Sequence, residues 1–131
     1  MRKLKGWFIV LLISLSLFGM TACSDGGANS YEQITPQEAK TIMDTEKEYI
    51  IIDARTDEEF AEGHIADAIL IPEYEIAARA EKELPDKDAL VLVYCRSGRR
   101  SKIASEELVK LGYTNVKEFG GIIDWPYKIV K

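Results

Sequence analysis

The sequence predicts an α/β domain built on a parallel sheet with helices on both faces. Apolar runs of strand length alternate with segments of helical periodicity, so successive strands need crossover connections and run parallel. Two of the runs, "YIIIDAR" and "ALVLVY", stay apolar instead of alternating with polar residues, the pattern of strands buried on both faces. Helix-capping residues, glycine and proline fall where one pattern gives way to the next.

The elements follow in order. "YEQI", Tyr31 to Ile34, forms a short first strand. "TPQEAKTIMD" is a helix, with Thr35 as N-cap, Pro36 in the first turn and Glu38 closing a capping box. "YIIIDAR" is the second strand and ends at polar Asp53. In "TDEEFAEG", Thr56 and Glu59 repeat the capping pattern, so a short helix runs up to Gly63. "AILIP" is a brief third strand halted by Pro72. "EYEIAARAEKEL" spaces Ile76, Ala77, Ala80 and Leu84 nearly as one helical face. A turn over Pro85 to Asp88 leads into "ALVLVY", the strongest strand. "RRSKIASEELVKLG" sets Ile103, Ala104, Leu108 and Leu111 on one helical face, with Gly112 as C-terminal cap. "NVKEFGG" is a last strand, and "IIDWPYKIV" a short closing helix.

The N-terminus reads as targeting rather than fold. Arg2, Lys3 and Lys5 precede "WFIVLLISLSLFGM", an apolar run too short to span a bilayer comfortably, and Thr21 and Ala22 lead to Cys23. This order resembles the lipobox of bacterial lipoproteins, with Met20 where leucine is more usual. The resemblance implies a lipoprotein signal peptide over 1–22, a lipidated Cys23 with a flexible tether over 23–30, and a folded domain over 31–131. "SDGGANS" has the composition of such a tether. Multiple acyl chains anchor stably, so the expected location is the extracytoplasmic face of a bacterial cell membrane.

Charge and cysteine content narrow the function. The chain carries 17 basic and 22 acidic residues; without Arg2, Lys3 and Lys5 the count is 14 against 22, a net of −8. A domain this acidic is poorly suited to nucleic acid. With Cys23 lipidated, Cys95 is an unpaired thiol in an oxidising compartment, either inert packing or kept for reactivity. No spacing of ligands marks a metal site, and no cofactor is implied.

Cys95 closes the strongest strand, and ligands of parallel sheets gather at the carboxyl ends of strands. Arg96, Ser97, Gly98, Arg99, Arg100 and Ser101 follow it into a helix. Helix N–H groups, the dipole and cationic side chains all favour a sulfur anion there. Gly98 permits positive φ in the turn. A core cysteine is the common alternative, but rarely does Arg-Ser-Gly-Arg-Arg follow one directly.

At these residues the chain resembles the single-domain rhodanese-like sulfurtransferases. "CRSGRRS" resembles their active-site loop, "IIDARTDEEFAEGHIADAILIP" their signature segment, and "FGGIIDW" their usual ending. Ala66 and Asp67 stand where many members have Pro-Gly, and Pro126 after Trp125 is unusual. The resemblance implies a five-stranded parallel sheet. It also implies that Cys95 takes sulfane sulfur from a small anionic donor such as thiosulfate and passes it, through a persulfide, to cyanide or a thiol. Arg96, Ser97, Gly98, Arg99, Arg100 and Ser101 would bind substrate, with Arg96 and Arg100 the main holders of an anion. Asp53 and Arg55 match the family's Asp-x-Arg and would brace the loop. His64 is expected to pack and hydrogen-bond rather than act as a base, and Phe119 and Trp125 to be core. A monomer is expected.

Three other readings compete. A non-catalytic persulfide carrier has the same sequence features. A phosphatase or arsenate-reducing loop needs arginine six positions after the cysteine, where this chain has Ser101, and Tyr94 rather than histidine precedes Cys95. A thiol–disulfide oxidoreductase would need a second cysteine in C-x-x-C spacing.

Overall fold

A computed structural model describes residues 30–131. The leader, Cys23 and the tether up to residue 29 lie outside the described residues. The strands are β1 (Glu32–Gln33), β2 (Ile50–Asp53), β3 (Ile69–Leu70), β4 (Val91–Cys95) and β5 (Val116–Gly121). They form one five-stranded sheet in the order β1-β5-β4-β2-β3, with every neighbouring pair parallel. The helices are α1 (Pro36–Thr45), α2 (Asp57–Glu62), α3 (Ile76–Glu83) and α4 (Arg99–Lys110).

Side chains alternate across the sheet with period two, which divides β4 between two cores. Val91, Val93 and Cys95 join Ile52, Ile76, Ala80, Ala104 and Leu108 in an apolar cluster beneath α3 and α4. Leu92 and Tyr94 face the opposite side, with Ala39 of α1, Ile65, Phe119 and Trp125. Both faces of the central strand are thus buried, as the uninterrupted apolar run requires. Phe119 and Trp125 are core residues, as expected.

The capping signals are realised locally. Thr35 accepts a hydrogen bond from the Glu38 N–H at 3.1 Å and Glu38 returns one to the Thr35 N–H, a complete capping box. Thr56 caps α2 through the Glu59 N–H, but the Glu59 carboxylate accepts from the Thr56 hydroxyl, not its backbone. Gly98, at φ 105°, begins α4 in the left-handed region that favours glycine.

Three expectations are corrected. Ile103 is exposed, and the covered face of α4 is Ser101, Ala104, Ser105 and Leu108. The helix is rotated because its first turn inserts Ser101 beneath the cysteine loop, which carries Ile103 outward. Ala77 is likewise exposed, leaving Ile76, Ala80 and Leu84 as the inward row of α3. The closing segment forms only a single 3-10 turn over Ile122–Asp124. Pro126, which lacks an N–H, follows that turn, and the chain then extends so that Val130 makes an antiparallel bridge with His64.

The strand order sets the site. From β2 the chain passes through α2 outward to β3, and from β4 it passes through α4 the other way to β5. The two connections diverge above the carboxyl ends of β2 and β4, a topological switch point where open parallel sheets form ligand crevices. Asp53 ends one of these strands and Cys95 ends the other.

Candidate active site

The Cys95 side chain is 1% exposed. Its carbon lies in the α3–α4 apolar cluster, while its sulfur meets polar groups. The Gly98 N–H donates to Sγ at 3.0 Å, and the thiol donates to Ser101 Oγ at 3.3 Å. The sulfur is covered rather than presented at the surface, and the exposed side chains of its loop are Arg96, Ser97 and Arg99.

Ser101 links the sulfur to an acid. Its Oγ lies 2.6 Å from Glu118 Oε1, 3.0 Å from the Gly98 carbonyl and 3.4 Å from the Gly120 carbonyl. A hydroxyl has one proton, and the short contact with a carboxylate is the strongest claimant for it. The lone pairs left over face the Cys95 thiol. Glu118 is 3% exposed, and the same Oε1 accepts the Gly120 N–H at 2.8 Å. Ser101 is therefore both in the first turn of α4 and in the site.

Glycines bring the loop onto the sheet. The β4–β5 register slips between Val93 and Cys95, pairing Val93 with Glu118 but Cys95 with Gly121. Gly120, at φ 88°, takes up that slip, and Gly121 lies directly under the loop. The Ile123 N–H donates to the Arg96 carbonyl at 3.2 Å and ties the loop to the segment beyond β5.

A second network braces β4 from the other face. Asp53 accepts from Arg55 Nε at 3.0 and 3.1 Å and from its terminal nitrogen at 2.7 Å. The same terminal nitrogen reaches the Gly63 carbonyl at 2.7 Å. Tyr94, the residue before Cys95, donates to Asp53 Oδ2 at 2.6 Å and accepts the Ile65 N–H at 3.0 Å. Burial pushes the Tyr94 hydroxyl well above the ordinary phenol range, and the neighbouring Asp53 charge adds to it. Burial alone would lower Arg55, but hydrogen bonds and charge from Asp53 outweigh it and hold the guanidinium higher still. Asp53 and Arg55 thus clamp the strand that ends in Cys95 and make no contact with the sulfur.

The arginines of the loop divide. Arg100 gives both terminal nitrogens to Glu59, at 2.6 and 2.9 Å. That two-pronged bond, with the added effects of charge and of Thr56, holds the Glu59 carboxyl down to about 2, against an ordinary 4.5. The same bond raises Arg100. Arg100 was expected to hold an anionic donor, yet its guanidinium is already matched by a carboxylate. Arg96 and Arg99 have no ion-pair partner among the described residues. A cleft of about 410 Å³ beside the loop is lined by Arg55, Glu59, Glu62, Arg96, Ile122 and Ile123.

His64 stacks on Phe60 with ring centroids 3.7 Å apart, and its Nδ1 lies 3.0 Å from the Phe60 carbonyl. It packs between elements, as expected, and touches none of the groups around Cys95. Two residues of the site were not singled out from sequence as such, Glu118 and Glu59. Glu118 had one available signal: an acidic residue within a strand that has to bury its neighbours.

The sequence profile described as "Rhodanese-like domain" matches residues 35–126. A thiosulfate sulfurtransferase, PspE, of Escherichia coli is 42% identical over 73 residues, 56% of this chain and 70% of that protein. A sulfurtransferase of Allochromatium vinosum is 42% identical over 88 residues, 66% of this chain and 79% of that protein. A putative sulfur carrier protein, YrkF, of Bacillus subtilis is 33% identical over 106 residues, 80% of this chain and 56% of that protein. Among solved structures, an E. coli rhodanese with anions superposes with a TM-score of 0.60 at 40% identity, covering 63% of this chain and 98% of its own. A rhodanese-related protein of Thermoplasma volcanium gives 0.66 at 33% identity, with 76% and 98% coverage.

Proposed function

The chain belongs to the rhodanese-like domain family, and on that premise we propose that it moves sulfane sulfur from a small anionic donor to a thiol or cyanide through a persulfide on Cys95. The observation that carries this reading is the placement of one buried sulfur at a strand end, with a glycine N–H at 3.0 Å and a serine hydroxyl at 3.3 Å. The glycine N–H is a fixed donor that stabilises charge on sulfur without having to reorganise, and the serine hydroxyl adds a second bond once its proton turns from Glu118 to the sulfur.

The steps balance. Thiolate Cys95 attacks the outer sulfur of thiosulfate; a sulfur–sulfur bond forms, the bond to the sulfonate sulfur breaks, and sulfite leaves with the electron pair. Cyanide or a thiolate then takes the terminal sulfur, and Cys95 is again a thiolate. Gly98, Ser97 and Ser101 are the proposed partners of the persulfide, and Arg96 with Arg99 the proposed attraction for the donor. Arg100 acts through its pair with Glu59. Asp53 and Arg55 are positioning residues.

Intact-mass measurement of the full chain after thiosulfate exposure tests the proposal. Wild type gains one sulfur atom and Cys95→Ser gains none; an unmodified wild-type mass across several donors overturns it. A persulfide carrier is the second reading, favoured by the relative named as a putative sulfur carrier. Repeated turnover with thiosulfate and cyanide separates the two, since a carrier loads once. The lipid anchor on Cys23 and an extracytoplasmic location belong to the same proposal.

A further inference from the structure

Gly98 and Ser101 pull the Cys95 sulfur towards opposite protonation states. The Gly98 N–H is a donor at 3.0 Å and suits a sulfur anion. The Ser101 hydroxyl is instead set among acceptors: Glu118 Oε1 at 2.6 Å, the Gly98 carbonyl at 3.0 Å and the Gly120 carbonyl at 3.4 Å. Its single proton cannot serve them all, and the thiol at 3.3 Å is the donor that the hydroxyl meets. Glu118 has the strongest hold on that proton, being a carboxylate with only 3% exposure.

For the sulfur to become an anion, its own proton passes to a base in solvent and the Ser101 proton turns from carboxylate to sulfur. Glu118 then keeps the Gly120 N–H, at 2.8 Å, and loses its shorter bond. It also faces a second negative charge across one oxygen atom, and like charges so placed disfavour each other. The exchange offsets part of what the sulfur gains from the hydroxyl. Other titratable groups surround the pair. Lys102 of α4 and Asp124 beyond β5 line a cleft of about 320 Å³ with Glu118, and Tyr31 lies within reach of its charge. On the loop, Arg100 is paired with Glu59, while Arg96 and Arg99 are exposed.

We propose that Glu118 restrains Cys95: acting through Ser101, its carboxylate keeps the resting sulfur a thiol and sets how readily it becomes the attacking anion. Glu118 is a positioning residue in this role and touches no reacting atom. The inference rests on the sulfur-transfer reading, in which that anion takes up the sulfur, but its test needs no donor.

Alkylation of Cys95 by iodoacetamide in the full chain, located by peptide mass, reads the anion from about pH 5 to about pH 9. The thiolate sulfur bonds to carbon, and iodide leaves with the electron pair of the broken bond. Glu118→Gln keeps an acceptor for the Gly120 N–H and removes the charge. It is expected to alkylate about tenfold faster than wild type near neutral pH, with its rate–pH curve moved to lower pH. Ser101→Ala is expected to alkylate more slowly than wild type, whereas a purely structural role would move both variants the same way. Adding Glu118→Gln to Ser101→Ala should change the rate by less than about threefold, because the carboxylate acts through that hydroxyl. A Glu118→Gln rate at or below wild type, a gain with an unmoved pH curve, or a gain that survives undiminished without Ser101 overturns the inference. Faster alkylation in Ser101→Ala overturns it too, and that reading stands even if Glu118→Gln does not fold. A wild type that alkylates but gains no sulfur from any donor defeats the sulfur-transfer reading instead, while the restraint on the thiol is still decided by the alkylation rates.

Discussion

Gly121 and Arg96 are in direct backbone contact: a Cβ built on Gly121 would stand 1.9 Å from the Arg96 carbonyl oxygen and 2.3 Å from its carbon. The third close atom is Ser97 Cα, at 2.5 Å. The Cys95 loop therefore rests on a strand position where a side chain cannot be placed.

Gly121→Ala is expected to lift the loop, because backbone on both sides leaves no flexible group to give way. Overpacking of this kind costs about 1–3 kcal/mol in stability. Sulfur transfer should fall on the order of a hundredfold, since the Gly98 N–H would no longer reach Cys95. Steady-state kinetics beside a thermal melt check this; an active Gly121→Ala protein with an unchanged melt would mean the contact is not required.

Ser101→Ala removes the hydroxyl between Cys95 and Glu118. Once its proton turns from Glu118 to the sulfur anion, that hydroxyl gives one charge-assisted hydrogen bond worth about 1.5–3 kcal/mol, so persulfide formation should slow roughly tenfold to a hundredfold. Ser101→Thr restores the hydroxyl and is expected to recover part of the rate. Stopped-flow measurement of the first turnover reads the effect on loading directly.

Removing Asp53 strands a guanidinium in the interior. Breaking a buried ion pair from one side typically costs about 3–5 kcal/mol, and Asp53→Ala should lose that much in urea unfolding. Tyr94→Phe orphans the Ile65 N–H and takes one donor from Asp53, a loss of about 1–3 kcal/mol. The two losses should not add, because both variants disturb one network.

Acid should act through Glu59. Its folded-state value is lowered to about 2 from 4.5, first by the Arg100 hydrogen bonds. A depressed carboxylate contributes stability that is fully present above its unfolded value and is lost as pH falls through the folded one. The stability contributed by the pair should therefore decline between about pH 4.5 and about pH 2. Glu59→Gln is expected to flatten the unfolding free energy across that window; an identical acid profile in the variant would show that the pair contributes nothing.

Cys23→Ser is expected to shift the full chain from the membrane to the soluble fraction on cell fractionation, since the proposed anchor is attached at that thiol. Retention of the variant in the membrane pellet would rule that anchor out.

The sequence by itself determined the order of elements, because the signals are local. Thr35, Pro36 and Glu38 meet within one helical turn. The apolar runs mark strands buried on both faces, and Gly98 supplies the left-handed residue that turns strand into helix. It also marked Cys95 as the candidate nucleophile and, through the motifs, the family. It misplaced Ile103, because periodicity gives the spacing of a helical face but not its rotation about the axis. Only the tertiary structure decided which charges meet. Arg100 finds Glu59 from 41 positions away, and Ser101 finds Glu118 from 17. The first meeting sets one crossover helix against the other at the switch point, and the second sets α4 against β5. A carboxylate in sequence carries no record of the partner that a distant strand will bring to it, so the charge balance of the site becomes legible only once the sheet is assembled.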